Sequence, residues 1–465
     1  MLLVTFVGCI MYAMIASIVI AVLACIATVA LVLTKPSVAF AVHKKDGSVK
    51  TVKMSLFWIP SFVGAVLILA VGALSVQDAF ASLTKDMWAM FEGKTVNSIN
   101  PVKILVLFFA MTSLSVFLDE LGFFKLLALK TLKRAGVSQK RLFVLLFLVV
   151  SVLTIFTSND IVILTFTPFI CCFCFNGRIN PVPYIICEFV AANTFSMFLI
   201  IGNPTNIYLA SSFGLTFTSY VAAMALPTLL GGLVAFLVLF WLFRKSLSEP
   251  IEQSEDIEPT LNKPMVIVGL VHLIGCLLLL VISEFIGVEM WFITLCFAVC
   301  LGICTLIYSA IKKEKPTILK NTFLRSPWEL LPFVLCMFII VLALEKNGIT
   351  SAISSALDVG DANALTYGLT ASLASNLVNN IPMSVLFSSI VLNKTVAEVY
   401  AAIIGSNIGA FFTPIGALAG IMCLSITQGY HVKLNFLKFS AYGLIIGIPT
   451  LFATIGGLYI ALLYI

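Results

Sequence analysis

The sequence has little charge and little histidine. Only 10% of its 465 residues are charged and 3 are histidines, whereas 61% are hydrophobic. An ordinary soluble domain carries about 25% charged residues. This balance excludes a soluble globular enzyme, a disordered chain and a secreted disulfide scaffold. It leaves a polytopic α-helical membrane protein, because one bilayer span needs roughly 20 mostly apolar residues.

Several motifs of enzymes and metal sites are also missing. There is no Walker motif, nucleophile elbow or metalloprotease signature, so no enzyme and no cofactor are predicted. Cys296, Cys300 and Cys304 recur at helical spacing inside an apolar run, which is typical of packing residues. The histidines are scattered: His43, His272 and His431. We therefore predict no metal site.

Hydropathy predicts an all-α chain with nine clear spans and several interrupted ones. Residues 2–34 lack a basic start and exceed a signal-peptide core of about 7–15 residues, so we expect a retained first span. Residues 120–134 resemble an amphipathic surface helix. The other clear spans lie near 55–75, 102–118, 142–157, 215–243, 265–286, 290–310, 327–344 and 438–464. The interrupted stretches are 160–175, 183–213, 365–392 and 397–426.

The net charge of +6 is a topology signal rather than a sign of nucleic-acid binding. Of the 27 Lys and Arg residues, 19 lie in four loops. Short basic loops stay in the cytoplasm, and all four can do so at once. We therefore expect a bacterial inner (plasma) membrane protein with cytoplasmic basic loops. These loops are 35–53, 125–141, 244–263 and 312–325.

Three matches in the same order indicate an internal repeat. The segment after the first match, 123–141, has six basic residues, whereas 349–364 has none and carries Asp358 and Asp361. Equivalent ends therefore face opposite sides of the membrane, which is the inverted-topology plan of many secondary transporters. The matches are 118–122 with 344–348, 159–161 with 379–381, and 191–210 with 401–420.

This repeat sets the predicted domain organisation. The long polar stretch 245–264 is expected to be a cytoplasmic linker between the two halves. The predicted units are N-terminal spans 1–95, a first transport repeat 96–244, the linker 245–264, a helical pair with a basic loop 265–326, and a second, inverted transport repeat 327–465.

Four polar clusters interrupt the apolar segments at equivalent places in the two repeats. Broken backbone survives in a membrane only where it is buried in protein or lines a cavity. Freed carbonyls, hydroxyls and amide oxygens suit a hard cation such as sodium, and helix N-termini attract anions. The alternative is that these residues only kink or join helices. The clusters are 157–160, 202–206, 375–382 and 406–416.

Particular side chains in and near these clusters are predicted to bind solute or ion. Asp160 is the strongest single candidate, since an acid at a helix break in a membrane is costly. Its alternative role is to accept a backbone hydrogen bond. The predicted binding residues are Ser158, Asn159, Asp160, Asn203, Thr205, Asn206, Asn376, Asn379, Asn380, Asn407, Thr413 and Gly416. The proton-coupling candidates are Asp160, Glu188 and Asp119, the last with an interfacial structural role as its alternative.

The chain resembles the arsenite/antimonite efflux permease family of the ion-transporter superfamily. Residues 117–124 resemble that family's LLDEAGFF stretch, and 159–168 resemble its NDGAALILTP segment. Residues 379–382 resemble its NNLP, and 413–419 its TPIGSLA. The chain departs from the pattern just before the last motif, where efflux permeases carry an acid and a lysine and this chain has Asn407, Phe411 and Phe412.

The resemblance implies a carrier with two inverted repeats and re-entrant or broken helices. The expected function is export of arsenite, antimonite or a related small inorganic solute in exchange for protons. Residues 202–206 resemble the GDPPN-type motif of sodium/proton antiporters, so a sodium-coupled antiporter or organic-anion symporter is the alternative, and a channel is a third. The expected partners are the solute, protons or sodium and the lipid bilayer. Family members also imply a homodimer and a separate ATPase subunit; nucleic acid is not expected.

Overall fold

The described part of the chain is helical except for one β-hairpin. In a computed structural model, it comprises residues 2–34, 37–43, 49–87, 100–249, 251, 261–360, 363–392 and 394–464. Nine helices within these ranges are long and apolar enough to cross a membrane. The prediction of an α-helical polytopic membrane protein is therefore confirmed. Asp361, half of the linker 245–264 and part of the first basic loop lie outside the described residues.

The N-terminal part contains a β-hairpin that hydropathy did not predict. Strand β1 pairs antiparallel with β2, with Ser37 opposite Ser55 and His43 opposite Val49. Apolar residues alternate at Val38, Phe40 and Val42, which is the pattern of a strand. The elements are α1 (Leu2–Thr34), β1 (Ser37–His43), β2 (Val49–Ser55), α2 (Ile59–Ala70) and α3 (Val76–Thr84).

Two series of elements then follow, separated by a helical pair. The first series is α4 (Pro101–Glu120), α5 (Phe123–Ala135), α6 (Gln139–Phe156), α7 (Asn159–Asn176), α8 (Val182–Phe195), a 3-10 turn (Ile200–Gly202), α9 (Pro204–Ser212) and α10 (Phe217–Phe243). The connecting helices are α11 (Lys263–Ile286), α12 (Met290–Lys312) and α13 (Thr317–Arg325). The second series is α14 (Leu330–Lys346), α15 (Ile349–Ala356), α16 (Asn363–Val378), α17 (Asn380–Ile390), α18 (Val396–Gly409), a 3-10 turn (Pro414–Gly416), α19 (Leu418–Gly429) and α20 (Phe436–Leu462).

The two series correspond element by element. The short helices α5 and α15 both begin after a glycine with positive φ, Gly122 at 77° and Gly348 at 75°. Only glycine adopts this left-handed conformation without a steric cost. Each series ends in a helix of 27 residues. The domain boundaries themselves remain a prediction.

Two ion pairs show that the repeats are inverted. Arg325, just before α14, pairs with Glu120 at the end of α4, with 2.5 Å between Nη1 and Oε1. Lys346, at the end of α14, pairs with Asp78 of α3 at 2.7 Å. Helix α3 lies beside the start of α4, because Asn100 Nδ2 donates to the Lys85 carbonyl oxygen. Helices α4 and α14 therefore run in opposite directions, as the charge asymmetry predicted.

Each repeat contains a re-entrant hairpin. The start of α6 meets the start of α8, where Tyr184 OH donates to Gln139 Oε1 at 2.8 Å. Because α7 ends just before α8, the hairpin α6–α7 enters and leaves on one face. In the second repeat, Lys394 after α17 pairs with Asp358 before α16 at 2.8 Å. This pair closes the base of the hairpin α16–α17.

Small residues bring the second hairpin against α18. A Cβ atom placed on Gly405 would lie 2.2 Å from the Gly368 carbonyl oxygen and 2.9 Å from Ala371 Cβ. Small residues at helix crossings allow close backbone approach in membrane proteins. The packing of α16 on α18 therefore depends on the missing side chain of Gly405 and fixes how the two broken segments of this repeat meet.

Candidate functional site

The first break places the half-buried Asp160 at the tip of the hairpin α6–α7. Helix α6 ends at Phe156, Thr157 and Ser158 are extended, and α7 begins at Asn159. Short polar side chains at this point compete for backbone hydrogen bonds and interrupt the helix. Asn159 Oδ1 accepts from the Asp160 backbone N–H at 3.0 Å, and Asn159 Nδ2 donates to Asn193 Oδ1 of α8 at 3.0 Å. The amide of Asn159 thus fixes the tip of the hairpin, and it forms no hydrogen bond with the carboxylate of Asp160.

Asp160 and Ser158 lie in the wall of a cavity of about 280 Å³. Within the described part of the chain, no side chain forms a hydrogen bond or ion pair with the Asp160 carboxylate. An unpaired carboxylate at a membrane cavity points to an ion or proton site. The other walls come from α4, the α13–α14 junction and α19, and include Thr112, Arg325, Glu329 and Leu418.

Thr112 is a cavity residue that the sequence reasoning missed. Its side chain is 4% exposed, and its hydroxyl has no hydrogen-bond partner among the described atoms. A lone threonine in an apolar helix usually bonds a carbonyl one turn earlier, so nothing in the sequence of α4 separates it from a packing residue. In the described part of the structure, it lies in the cavity wall with a buried, unpaired hydroxyl.

A second, smaller space lies next to this cavity, at the third break. It measures about 10 Å³, roughly the volume that one water needs. Phe57, Leu418 and Ile421 line both spaces, and Asn379 lines the smaller one. The breaks at Asp160 and at Asn379 therefore lie beside neighbouring cavities that share three apolar side chains in their walls.

The second and fourth breaks meet in an amide network between the repeats. Asn407 Oδ1 accepts from Asn203 Nδ2 and from Ser196 Oγ, each at 2.9 Å. Asn407 Nδ2 donates to Asn206 Oδ1 at 2.7 Å. These side chains are at most 1% exposed and do not line the cavity. In this conformation they bind each other, so they hold the two repeats in register.

The breaks of the second repeat are also joined to each other. Thr413 Oγ1 donates to Asn376 Oδ1 at 2.6 Å, and Asn376 Nδ2 donates to the Gly409 carbonyl oxygen at 2.7 Å. A Cβ atom on Gly416 would lie 2.9 Å from Asn376 Oδ1, so glycine is required there. Asn379 has φ of 77° and donates to the Ile415 carbonyl oxygen at 2.9 Å. All four breaks therefore converge in the protein interior.

Two further predicted residues keep polar groups without partners. Asn380 occupies the position of Asp160 in the second repeat; it is 3% exposed, and its amide has no hydrogen-bond partner among the described residues. The Thr205 hydroxyl is buried and likewise unpaired within the described structure. Free buried oxygen atoms at a helix break are the donors that a dehydrated cation needs.

Glu188 is buried away from the cavity. It is 0% exposed, and Thr167 Oγ1 lies 3.0 Å from Oε2 and 3.1 Å from Oε1. No lysine or arginine of the described residues pairs with it. An uncompensated charge at such a site is costly, so Glu188 remains a candidate proton carrier that is separate from the cavity wall.

Asp119 joins the cavity rim to the hairpin. Thr165 Oγ1 of α7 donates to Asp119 Oδ1 at 2.8 Å, and Arg325 Nη2 donates to Oδ2 at 2.6 Å. The second repeat has an equivalent link, in which Ser389 Oγ of α17 donates to Glu345 Oε2 at 2.9 Å. In both repeats an acid at the end of the first helix therefore holds the second arm of the hairpin.

The sequence matches the CitMHS family, described as citrate transporter, over residues 1–402. The chain belongs to this citrate transporter family. As a member, it is an integral membrane protein and a membrane transporter of a small anion or solute.

Proteins similar to this chain include arsenical pump membrane proteins. The arsenical pump membrane protein of Escherichia coli K12 is 29% identical over 382 residues, which cover 76% of this chain and 85% of that protein. Another Escherichia coli arsenical pump membrane protein is 26% identical and covers 86% and 92%. An uncharacterized transporter of Mycobacterium tuberculosis H37Rv is 25% identical and covers 74% and 82%. The predicted resemblance to arsenite/antimonite permeases is confirmed.

A solved structure shares the fold. The YdaH transporter of Alcanivorax borkumensis, whose crystal structure is described as having an unusual topology, matches with a TM-score of 0.55. The match covers 97% of this chain and 99% of that chain, at 15% identity. The inverted-repeat architecture of this family member is therefore that of a known transporter fold.

Proposed function

We propose that the protein is a secondary active transporter that exports arsenite, antimonite or a related small inorganic solute in exchange for protons. The observation that carries this proposal is the Asp160 carboxylate, which lies at a helix break in a cavity wall without a described partner. Relatives named arsenical pump membrane protein support the class of solute.

The cavity suits a small neutral solute. Arsenous acid is uncharged at neutral pH and carries three hydroxyl groups. Asp160, Ser158 and Thr112 supply oxygen atoms that can bond those hydroxyls, and most of the remaining wall is apolar. A proton and the solute compete for the same Asp160 oxygens. Mutually exclusive occupancy of this carboxylate gives exchange in a carrier that changes its access only when the site is occupied.

A sodium-coupled carrier of an organic anion is the second candidate. The family description and the free amide of Asn380 favour it. Arg325 lies in the cavity wall, but its charge is shared with Asp119 and Glu120. Asp160 and Glu329 lie in the same wall. These acids outnumber the cation and would repel a citrate trianion, so we rank this candidate below arsenite export.

The proposal includes the cellular setting. We place the protein in a bacterial inner membrane with the basic loops cytoplasmic, since such loops are retained on that side. The third loop meets the second where the Ile251 N–H donates to the Val137 carbonyl oxygen at 3.1 Å, so these two loops share one face. A homodimer and an ATPase subunit belong to the proposal through the family resemblance alone.

Flux measurements with purified protein test the substrate and the mechanism together. Proteoliposomes are given labelled arsenite, citrate or sodium under an imposed proton or sodium gradient. We expect saturable arsenite flux that responds to the proton gradient and shows counterflow. Absence of arsenite flux under every gradient would reject the solute, and flux that neither saturates nor shows counterflow would indicate a channel.

A further inference from the structure

Outside the cavity, the structure brings together a histidine and two cysteines that are distant in sequence. His272 of α11 lies beside Cys300 and Cys304 of α12, and their ligand atoms are all within 4.8 Å of one another. Cys304 Sγ lies 4.0 Å from His272 Nε2. The cysteine spacing was visible in the sequence, but only the packing of α11 on α12 adds the imidazole. Neither helix lines the cavity that contains Asp160.

The imidazole is oriented for chemistry at Nε2. His272 Nδ1 lies 2.8 Å from the Val268 carbonyl oxygen. A carbonyl oxygen only accepts hydrogen bonds, so Nδ1 carries the proton and Nε2 has a free lone pair. Histidines at ligand sites are commonly fixed in this way by a backbone carbonyl. The free lone pair therefore faces the two thiols.

The position of the cluster selects for a neutral ligand. All three residues lie near the middle of membrane-length helices, with Cys300 exposed and the other two half-buried. A metal cation would have to enter apolar surroundings, where charge is expensive. Trivalent arsenic or antimony hydroxide is uncharged, reacts with paired thiols and leaves no net charge behind.

We propose that His272, Cys300 and Cys304 form a second site that binds trivalent arsenicals covalently. Arsenous acid and two thiols give a dithiol-bound arsenic with one remaining hydroxyl, and two waters leave. Two S–H and two As–O bonds break while two As–S and two O–H bonds form, with no change of oxidation state. His272 Nε2 takes a thiol proton and returns it to the departing hydroxide. The choice of ligand rests on the proposed function, but binding requires no transport.

Phenylarsine oxide, a neutral arsenical that needs two thiols, tests this site in detergent. Intact mass is measured after incubation of the wild type and of Cys300→Ser, Cys304→Ser, His272→Phe and Cys296→Ser. Cys296 is the matched control, because it is an exposed cysteine one turn away on the same helix and outside the cluster. We expect each cluster cysteine variant to lose one equivalent of adduct, His272→Phe to form it more slowly, and Cys296→Ser to keep it.

Two results would overturn the proposal. One is absence of an adduct on the wild type, and the other is an unchanged number of adducts in both cluster cysteine variants. The measurement uses no gradient and no vesicle. A protein that binds phenylarsine oxide here but moves no arsenite would contradict the proposed function alone, whereas a protein that moves arsenite without this adduct would contradict this site alone.

Discussion

Asn407 of the second repeat accepts a hydrogen bond from Asn203 of the first repeat at 2.9 Å, and this contact lies in the fully buried interior. Asn407 also donates to Asn206. One side chain thus joins the last break of the second repeat to both asparagines of the equivalent break in the first. The two repeats are therefore held together by amides in the buried interior between them.

Removing this amide should destabilise the protein. Asn407→Ala leaves the buried polar groups of Asn203 and Asn206 without their partner, at a cost of roughly 1–3 kcal/mol for each group. We expect a lower melting temperature of the detergent-solubilised protein. Asn180→Ala is the matched control, because Asn180 is exposed and, among the described residues, its side chain bonds only the nearby Val182 N–H. Equal melting temperatures for the two variants would contradict the role given to Asn407.

The Arg325 ion pairs should be replaceable by a reversed pair. Arg325→Glu places an acid beside Asp119 and Glu120, whose side chains are only 7% and 14% exposed. We expect a large loss of transport and stability, partly restored in the double variant Arg325→Glu with Glu120→Arg. Lys320→Glu, on the exposed side of the same helix, should have little effect. No restoration by the double variant would show that the pair is not the link between α4 and α13.

The base of the second hairpin should open in acid. The ammonium of Lys394 and the amide of Asn363 lower the pKa of Asp358 to about 2, from about 3.9 in an unfolded chain. The contribution of this pair is therefore complete above about pH 4 and is lost as the pH falls toward 2. We expect the protection factors for amide exchange at the start of α16 and the end of α17 to fall over that range, after correction for the intrinsic exchange rate at each pH. In Asp358→Asn the protection factors should already be reduced at neutral pH and should lack this acid-dependent step.

The close approach of α16 to α18 should not tolerate a methyl group. Gly405→Ala would put Cβ 2.2 Å from the Gly368 carbonyl oxygen, a backbone atom that cannot move aside as a flexible side chain can. Overpacking of this kind costs about 1–3 kcal/mol, so we expect a lower melting temperature and weaker transport. Gly456→Ala in α20 has no atom within 4 Å of its new Cβ. It should be neutral or stabilising, since alanine favours helix.

The breaks and the inversion could be predicted from sequence because they depend on local signals. Asn379-Asn380 before Pro382 and Thr413-Pro414 interrupt any apolar helix, and the uneven charge of 123–141 and 349–364 reports sidedness. The boundaries of α10 (Phe217–Phe243) and of α11 (Lys263–Ile286) fall within a few residues of the expected spans.

The division of labour among the polar residues could not be predicted, because it depends on packing between distant segments. No local sequence signal distinguishes Asp160, which lines a cavity, from Asn407. The side chain of Asn407 is bonded to Asn203, which lies 204 residues away in the sequence. Thr112 and the imidazole of His272 acquire their surroundings only when α4 meets α7 and α11 meets α12. Strand β1 has an alternating apolar pattern, but the lysines of residues 35–53 favoured the interpretation of this segment as a basic loop.

The most direct test of the proposed function is proton movement linked to arsenite in proteoliposomes that contain a pH-sensitive dye. In the wild type, we expect an arsenite gradient to drive protons in the opposite direction, and a proton gradient to accumulate arsenite. Asp160→Asn should abolish both responses, while Asp78→Asn, the same substitution at an exposed ion pair on another face, should retain them. Unchanged proton-driven arsenite accumulation in Asp160→Asn would contradict the account.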